Sequence, residues 1–463
     1  MKLTIIDLQN QVQFLVKMKL PVVKKHYQFI LGIIKKLCYN IQKIRGICNE
    51  MLYDAVIIGA GLAGCSAALS VIKSGKKPVI LSRGLGNLYS SSGYIDLLGY
   101  YPVTEKKPVM SPLLSLKKLI AEKPHHPYSI TGIDIIKEAF SSFLSVSSDM
   151  GLPYCGSIEK NILMPTAVGS LVPTTIFPET AGSDINTFQN IVVTGIKELL
   201  DFFPPYCASN LEVHLGRKVD FVRVELGLKM DRELNSYDIA LFMEQENIRD
   251  MFVKQLKSVS PGTLILVPAV MGVTKWKEII ASIEEKLQSK ILEIPTLPPS
   301  VMGYRLGEAL LSYLKNKGVE IIIGNGVDYF KGNKYIEEVG ITGASGRIKK
   351  FRGKNFILAT GGILGEGLSV YPLEIKETVF NLPVVSHGTL STEDFFNPDG
   401  QPLSYAGISA DSNLQPLDES GKVIFENLFV AGSTLYGYDP FLEKSGNGVA
   451  LSTGYKAGLM ACR

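Results

Sequence analysis

The stretch Tyr53-Asp-Ala-Val-Ile-Ile-Gly-Ala-Gly-Leu-Ala-Gly64 decides the fold of this chain. Its apolar run at residues 54–58 is typical of a strand buried on both faces of a parallel sheet. Gly59, Gly61 and Gly64 then form the pattern G-x-G-x-x-G at the start of a helix, which disfavours the alternative that they are ordinary turn formers. The first glycine allows a tight turn, the second lets backbone approach a phosphate, and the third lets the helix press on the strand. The stretch therefore predicts binding of a nucleotide or a flavin at the helix N-terminus.

A second strand follows this helix. Gly75-Lys-Lys-Pro-Val-Ile-Leu81 reads as a turn and an apolar run, which completes a βαβ unit with two parallel strands. At the end of the second strand a dinucleotide site usually carries an acidic residue for a ribose hydroxyl, but this sequence has Ser82-Arg83. Arg83 suits a 2′-phosphate, a flavin phosphate or a solvated position equally. The pair therefore weakens the prediction of an adenosine dinucleotide.

Three later segments are candidate cofactor contacts. A hydroxyl-rich loop follows the second strand, and in flavoproteins the loop at this place commonly runs along the flavin. An ordinary surface turn is the alternative. A strand near residue 358 ends in two glycines, which suits backbone that crosses close to a ligand. Near the C-terminus a strand leads into a glycine-rich helix start, whose N–H groups suit an anion or a flavin carbonyl, with a plain helix cap as the alternative. These candidates are Ser91, Ser92, Gly93, Thr360, Gly361, Gly362, Gly432, Gly446, Asn447 and Gly448.

The remaining pattern predicts the domain organisation. The fold class is α/β, with a Rossmann-like two-part flavin-binding domain and an inserted α/β cap or substrate domain. We expect the two flavin-binding parts at residues 51–145 and 291–463 and the insertion at 146–290. These regions hold predicted strands at 187–195, 264–268, 319–324 and 354–362 and predicted helices at 133–144, 196–203, 275–286 and 308–315.

Composition excludes several classes of protein. The 463 residues are 46% apolar, enough for a large core. Residues 1–50 hold nine Lys and Arg against two acidic residues, so a total charge of +4 leaves the rest of the chain at −3, which does not suit nucleic acid. We expect this basic segment to precede the true translation start at Met51, or else to form an amphipathic helix on an anionic membrane. The six cysteines form no C-x-x-C pair and His125-His126 suits capping or solvation, so no metal site is expected and the cytoplasm fits best.

The chain resembles, over residues 51–463, the family of the B subunit of the anaerobic glycerol-3-phosphate dehydrogenase. The stretches that carry the resemblance are Ser91-Ser-Gly-Tyr-Ile-Asp-Leu-Leu98, His126-Pro-Tyr-Ser129, Pro295-Thr-Leu-Pro-Pro-Ser-Val-Met-Gly-Tyr-Arg-Leu306, Asp394-Phe-Phe396 and Asn427-Leu-Phe-Val-Ala-Gly432 with the tail to Gly448. The resemblance implies a flavoprotein subunit with FMN, or FAD as the alternative. It implies as partners an FAD-bearing A subunit and an iron–sulfur, membrane-associated C subunit, at the inner face of the cell membrane.

The implied reaction is oxidation of sn-glycerol 3-phosphate to dihydroxyacetone phosphate, with electrons passed to a quinone-linked chain that ends on fumarate or nitrate. Such chemistry needs a base near the hydroxyl and a cation for the phosphate, for which His387 and Arg305 are weak candidates. Two alternatives are an electron-transfer or assembly subunit without substrate turnover and another flavin-dependent oxidoreductase. A nicotinamide-dependent dehydrogenase is disfavoured, because the later glycine elements have no role in it.

Overall fold

The computed structural model describes residues 52–182, 184–372, 374–386, 388 and 390–463. The basic segment 1–50, with its predicted late translation start or amphipathic helix, lies outside these residues, and so does His387.

Strands and helices alternate along most of the described chain. The strands are β1 (Leu52–Ile58), β2 (Pro78–Ser82), β3 (Tyr154–Gly156), β4 (Ile162–Pro165), β5 (Leu171–Thr174), β6 (Ile176–Pro178), β7 (Ile191–Ile196), β8 (Asp220–Val224), β9 (Leu264–Pro268), β10 (Lys290–Ile294), β11 (Glu320–Ile323), β12 (Tyr329–Gly332), β13 (Ile336–Thr342), β14 (Ile348–Leu358), β15 (Leu368–Val370), β16 (Ile375–Glu377) and β17 (Leu428–Val430). The α-helices are α1 (Leu62–Lys73), α2 (Pro112–Glu122), α3 (Pro127–Thr131), α4 (Ile133–Asp149), α5 (Pro204–Leu215), α6 (Ser236–Met243), α7 (Glu246–Gln255), α8 (Trp276–Leu287), α9 (Val301–Asn316) and α10 (Gly446–Met460).

The larger sheet draws strands from the two ends of the described chain. Its order is β11-β2-β1-β14-β13-β12, with β17 paired to β14. β1 and β2 are parallel, with Ala55 opposite Pro78, as the βαβ unit predicts. Residues 55–58 and all of β2 are buried, because apolar side chains cover both faces of these strands. β14 begins antiparallel to β13 and ends parallel to β17, so its C-terminal end lies between β1 and β17.

A second sheet lies in the chain between β2 and β11. Its order is β10-β9-β7-β8, and all of its strands are parallel. The predicted strand 264–268 is β9, and the predicted helix 275–286 is α8 with its start at Trp276. A larger mixed sheet, parallel from β11 to β1 and at β17, and a second sheet that is parallel throughout, with intervening helices, confirm the α/β fold class. Residues 53–463 form one compact unit, and the domain boundaries stay a prediction.

The predicted strands 187–195 and 354–362 are β7 and β14 with shifted bounds, and two predicted helices differ more from the structure. The predicted helix 196–203 is wrong: Ile196 ends β7, the backbone N–H of Lys197 still donates to Val224 in β8, and α5 begins only at Pro204. The consecutive prolines at 204 and 205 lack N–H groups, which suits the first turn of a helix and not its interior. The helix predicted at 308–315 is part of α9, which begins earlier, at Val301. It begins there because the Ser300 hydroxyl accepts the N–H of Gly303 as an N-cap.

Helix α10 packs along α1 through small residues. A Cβ atom at Gly454 would lie 2.2 Å from the carbonyl oxygen of Ala63, and one at Gly458 would lie 2.5 Å from that of Ala67. The residue numbers increase together in these two contacts, so the two helices run parallel. Since Gly446 precedes Gly454 by two turns, α10 begins roughly 11 Å beyond the N-terminus of α1 at 1.5 Å per residue. This register places the two helix N-termini at different depths on one side of the larger sheet.

Candidate functional site

The turn after β1 distinguishes the three glycines by what surrounds them. Gly59 has a φ angle of +119°, and a Cβ atom there would lie 2.1 Å from the carbonyl oxygen of Ala359. A Cβ atom at Gly64 would lie 2.0 Å from the carbonyl oxygen of Gly59, so this glycine lets α1 press on the end of β1. A Cβ atom at Gly61 would meet no atom within 4 Å. Packing requires the first and third glycines, whereas the second faces open space at the start of α1.

Helix α1 begins with backbone donors that the described chain leaves available. Gly61 is the N-cap and provides no side-chain acceptor. The N–H groups of Leu62, Ala63 and Gly64 have no acceptor in the described part of the chain. These groups point out of the positive end of the helix dipole, beside the space that Gly61 leaves open. The arrangement suits an anion such as a phosphate.

The second glycine element lies directly against the first. The N–H of Ala359 donates to the carbonyl oxygen of Ile58 at 2.8 Å, which joins the C-terminal ends of β14 and β1. Gly361 has a φ angle of +85°. The Thr360 hydroxyl is buried and has no hydrogen-bond partner among the described residues. Gly367, which sequence reasoning did not single out, passes so close that a Cβ atom there would lie 2.0 Å from the carbonyl oxygen of Gly361.

The third glycine element joins both of the others. The N–H of Gly362 donates to the Ser433 hydroxyl at 2.8 Å, and the Thr434 hydroxyl donates to the carbonyl oxygen of Gly361 at 3.1 Å. A Cβ atom at Gly432 would lie 2.9 Å from the Cβ of Ala63 in α1. The C-terminal ends of β1, β14 and β17 thus meet at one edge of the larger sheet, which is where ligands bind in open α/β sheets. Ser433 and Thr434 were not predicted, although their position directly after Gly432 was a usable signal.

Ser82 and Arg83 lie at this edge in different roles. The Ser82 hydroxyl accepts the N–H of Ala60 at 3.2 Å and donates to the carbonyl oxygen of Gly84 at 2.6 Å. Ser82 therefore holds the glycine turn, and its hydroxyl is already engaged on both sides. Arg83 forms an ion pair with Glu366, with both side chains about two-thirds exposed. This pair connects the end of β2 to the loop after Gly362.

The loop at residues 91–94 is called the serine loop here. Its serine side chains make no hydrogen bond to the glycine elements in the described part of the chain. The Ser91 hydroxyl donates to the carbonyl oxygen of Leu88 at 2.9 Å, and the Ser92 hydroxyl accepts the N–H of Tyr94 at 3.2 Å. Gly93 has a φ angle of +76°, and a Cβ atom there would lie 2.9 Å from the Cβ of Met302 in α9. The loop is thus internally bonded and packed on α9.

The N-terminus of α10 resembles that of α1. It has no side-chain cap, and the N–H groups of Gly446, Asn447 and Gly448 have no acceptor in the described residues. The Asn447 amide donates to the carbonyl oxygen of Tyr94 at 2.7 Å, which ties α10 to the serine loop. A Cβ atom at Gly448 would lie 2.4 Å from the carbonyl oxygen of Asp96, so this glycine serves close packing.

Lys444 and Asp96 form an ion pair beside this helix start, and neither was predicted as a site residue. The Lys444 ammonium donates to the Asp96 carboxylate and, at 3.3 Å, to the hydroxyl of Thr174. Burial raises the pKa of Asp96, and the charge of Lys444 opposes that rise. Lys444 itself has a φ angle of +48°, which is uncommon for a residue with a side chain. The only sequence signal was an acidic residue inside an otherwise apolar run at Asp96.

Glu443 precedes Lys444 in the chain and contacts a different set of side chains. Its side chain is fully buried, accepts from Lys123 at 3.0 Å and lies 2.9 Å from Nε2 of His126. The Nδ1 atom of His126 accepts the N–H of Tyr128, so His126 caps α3, as the predicted capping role requires. Burial raises the pKa of Glu443, but His126 and Lys123 outweigh it and hold this pKa below its ordinary value.

Arg305 does not face a substrate in this structure. Its guanidinium group is buried and donates to both carboxylate oxygens of Glu293, at 2.5 and 3.0 Å, and to the carbonyl oxygen of Gly272. The ring of Trp276 lies 5.6 Å away. Arg305 therefore links α9 to β10 and is not available as the cation considered for a phosphate.

These residues fit a phosphate-bearing planar cofactor. The open space at Gly61 and the free donors of α1 suit its phosphate, and the start of α10 lies roughly 11 Å further along, beyond the phosphate end. The unpartnered Thr360 hydroxyl offers a polar contact in the same region. Among the described residues no group of three His, Cys, Asp or Glu side chains is placed to hold a metal ion. No helix in that part of the chain is long and apolar enough to span a membrane.

Most of the chain is similar to a known protein family. The family model described as the FAD binding domain matches residues 54–449.

Two curated relatives carry the same name, that of the B subunit of anaerobic glycerol-3-phosphate dehydrogenase. The protein from Vibrio cholerae serotype O1 is 30% identical over 436 residues, which cover 88% of this chain and 96% of the relative. The protein from Vibrio vulnificus is 29% identical over 428 residues, with 88% of this chain and 95% of the relative covered. Among solved structures, 3-ketosteroid delta1-dehydrogenase from Sterolibacterium denitrificans matches 89% of this chain and 99% of its own, at 11% identity and a TM-score of 0.44.

Proposed function

This chain belongs to the FAD binding domain family and to the family of anaerobic glycerol-3-phosphate dehydrogenase B subunits, and from this premise we propose that it is a flavoprotein subunit that oxidises sn-glycerol 3-phosphate to dihydroxyacetone phosphate. The observation that carries the proposal is the convergence of three glycine elements on the ends of β1, β14 and β17. When bound, the flavin supplies the acceptor for the two electrons removed from the substrate alcohol.

The chain's own residues bind and orient this cofactor. The N–H groups of Leu62, Ala63 and Gly64 hold its phosphate, and Gly61 admits that phosphate without steric hindrance. The N-terminus of α10 would meet a part of the cofactor away from the phosphate, where N–H groups and a positive helix dipole stabilise negative charge. Thr360 lies beside Gly59, where its unpartnered hydroxyl would offer a polar contact. Of the other predicted contacts, Gly59, Gly64, Gly432 and Gly448 act by allowing close packing of backbone around the site.

The same proposal includes the partner subunits and the electron acceptor. The protein joins an FAD-bearing A subunit and an iron–sulfur C subunit at the inner face of the membrane, and the electrons pass to a quinone-linked chain. A second candidate is a subunit that transfers electrons without substrate turnover. The observation in its favour is the engagement of Arg305 by Glu293, which removes the cation considered for the substrate phosphate.

One experiment tests the flavin and a second tests the turnover. We expect the purified chain to be yellow, and the mass of the chromophore released by denaturation decides between FMN and FAD, of which FAD is the cofactor that the family's description names. A colourless protein that takes up neither flavin would overturn the proposal. Anaerobic mixing of the loaded chain with glycerol 3-phosphate should bleach the flavin absorbance, and glycerol is the matched control. No bleaching, either alone or in the complex, would leave the electron-transfer candidate.

A further inference from the structure

Two adjacent phenylalanines project from the described surface of this protein. Phe395 and Phe396 are 81% and 85% exposed, which is unusual for large apolar side chains. Their rings contact each other edge to face, with centroids 4.9 Å apart. The two rings therefore form a single apolar tip, and exposed patches of this kind mark interaction sites.

The loop beneath the tip holds its shape through its own hydrogen bonds. The Gln401 amide group donates to the carbonyl oxygens of Asp394 and Phe395, at 2.9 and 3.2 Å, and accepts the N–H of Thr392 at 2.9 Å. The Asp394 carboxylate accepts the N–H of Phe396 at 3.1 Å. A loop whose backbone groups are satisfied internally presents its side chains at little entropic cost to binding.

The charge around the tip indicates what it contacts. Glu393, Asp394 and Asp399 flank the rings, and no Lys or Arg occurs between residues 377 and 422. None of these three carboxylates forms an ion pair with a described residue. An apolar tip on a loop with three acidic residues and no Lys or Arg is repelled by an anionic lipid surface and is complementary to an apolar pocket edged with basic side chains.

We propose that loop 391–400 docks this chain onto another subunit of its complex, with the rings of Phe395 and Phe396 in an apolar pocket edged by Lys and Arg. The inference rests on the proposed function, because that function includes partner subunits. Aromatic side chains at the centre of an interface contribute most of its binding energy, and surrounding charges set its orientation and association rate. The loop thus carries both the anchor and the electrostatic guide of one interface.

Co-expression of all subunits, with an affinity tag on this chain, tests the proposal. We expect Phe395→Ser together with Phe396→Ser to weaken the capture of the docked subunit at least about tenfold, with flavin content and melting temperature unchanged. The matched control is Val213→Ser, which removes an equally exposed apolar side chain, 81% accessible, from α5. Replacing Glu393 and Asp399 by Lys, with Asp394 kept because its carboxylate supports the loop, should also weaken capture, and the effect should shrink in high salt.

Three outcomes overturn the docking role. Full capture of the partner by the double phenylalanine variant would show that the tip is not the anchor. Loss of binding to vesicles of anionic phospholipid, with the complex intact, would make the tip a membrane contact. Loss of self-association of the isolated chain would assign the tip to a second copy of this protein. If the unaltered chain captures no partner subunit, the proposed function fails together with the inference. If the unaltered chain captures a partner and the variants capture it equally well, the inference alone fails.

Discussion

Gly59 lies against Ala359 so closely that a Cβ atom on residue 59 would stand 2.1 Å from the carbonyl oxygen of Ala359. This contact brings the turn after β1 onto the end of β14, so the first and second glycine elements fix each other. The φ angle of +119° adds a conformational reason for glycine at this position.

The contrast between Gly59 and Gly61 gives a prediction with an internal control. Gly59→Ala should lower the free energy of unfolding by at least about 1–3 kcal/mol, because it combines a strained backbone with a backbone clash. Gly61→Ala should leave the stability of the cofactor-free protein unchanged, since its Cβ would meet nothing within 4 Å. It should nevertheless weaken flavin binding about tenfold or more, because the methyl group occupies the space of the phosphate. Thermal unfolding without flavin and flavin titration measure the two effects, and equal flavin affinity in Gly61→Ala would contradict this placement of the phosphate.

Ser82 gives a second prediction about the same turn. Ser82→Ala removes the acceptor of the Ala60 N–H and should cost about 1–2 kcal/mol of stability and lower flavin affinity, because the turn loses its support. Ser129→Ala is the control. The Ser129 hydroxyl donates to a backbone carbonyl oxygen, that of Lys123 at 2.6 Å, as the Ser82 hydroxyl donates to that of Gly84. That variant should lose stability with no change in flavin affinity. An effect of Ser82→Ala on stability alone would show that the turn keeps its shape without this hydroxyl.

Local patterns in the sequence predict the fold class, the βαβ unit and β9, and the resemblance to the B subunit family is confirmed. These features depend on runs of apolar residues and on glycine spacing, which are local. The helix predicted at 196–203 fails because its apolar spacing is outweighed by the sheet pairing of Ile196 and by the prolines that follow. Contacts between distant residues leave no local signal. Lys444 and Asp96 lie 348 positions apart in the chain, so only the tertiary structure shows that they meet.

Glu443 should contribute to the pH dependence of stability. Its folded pKa lies below the ordinary value of 4.5, so its contribution is fully present above pH 4.5 and is lost as the pH falls through the folded pKa. Glu443→Gln should therefore reduce the free energy of unfolding by about 3–5 kcal/mol at pH 7, and this deficit should shrink in acid. Chemical unfolding at pH 7 and at a series of pH values below 4.5 measures the change.

The control for Glu443 is the exposed ion pair of Glu366 with Arg83. Glu366→Gln should change stability by less than about 1 kcal/mol, because solvent screens a pair that is about two-thirds exposed. A deficit in Glu443→Gln that stays constant from pH 7 down to the lowest pH at which both proteins still fold would show that packing, and not charge, is the role of this residue.

The buried pair of Asp96 and Lys444 leads to a prediction in which the double variant is more stable than one single variant. Lys444→Met leaves the Asp96 carboxylate buried without its cation and should cost about 3–5 kcal/mol. Burial already raises the pKa of Asp96 above its ordinary value of 3.8, and loss of Lys444 raises it further, so the cost of the buried carboxylate accumulates as the pH rises from 3.8 to the folded pKa and stays constant above it. The deficit should thus be larger at pH 8 than at pH 5. Asp96→Asn combined with Lys444→Met should recover most of the stability, because the unpaired charge is gone. Additive losses at both pH values, measured by urea unfolding, would contradict a charge coupling between these two side chains.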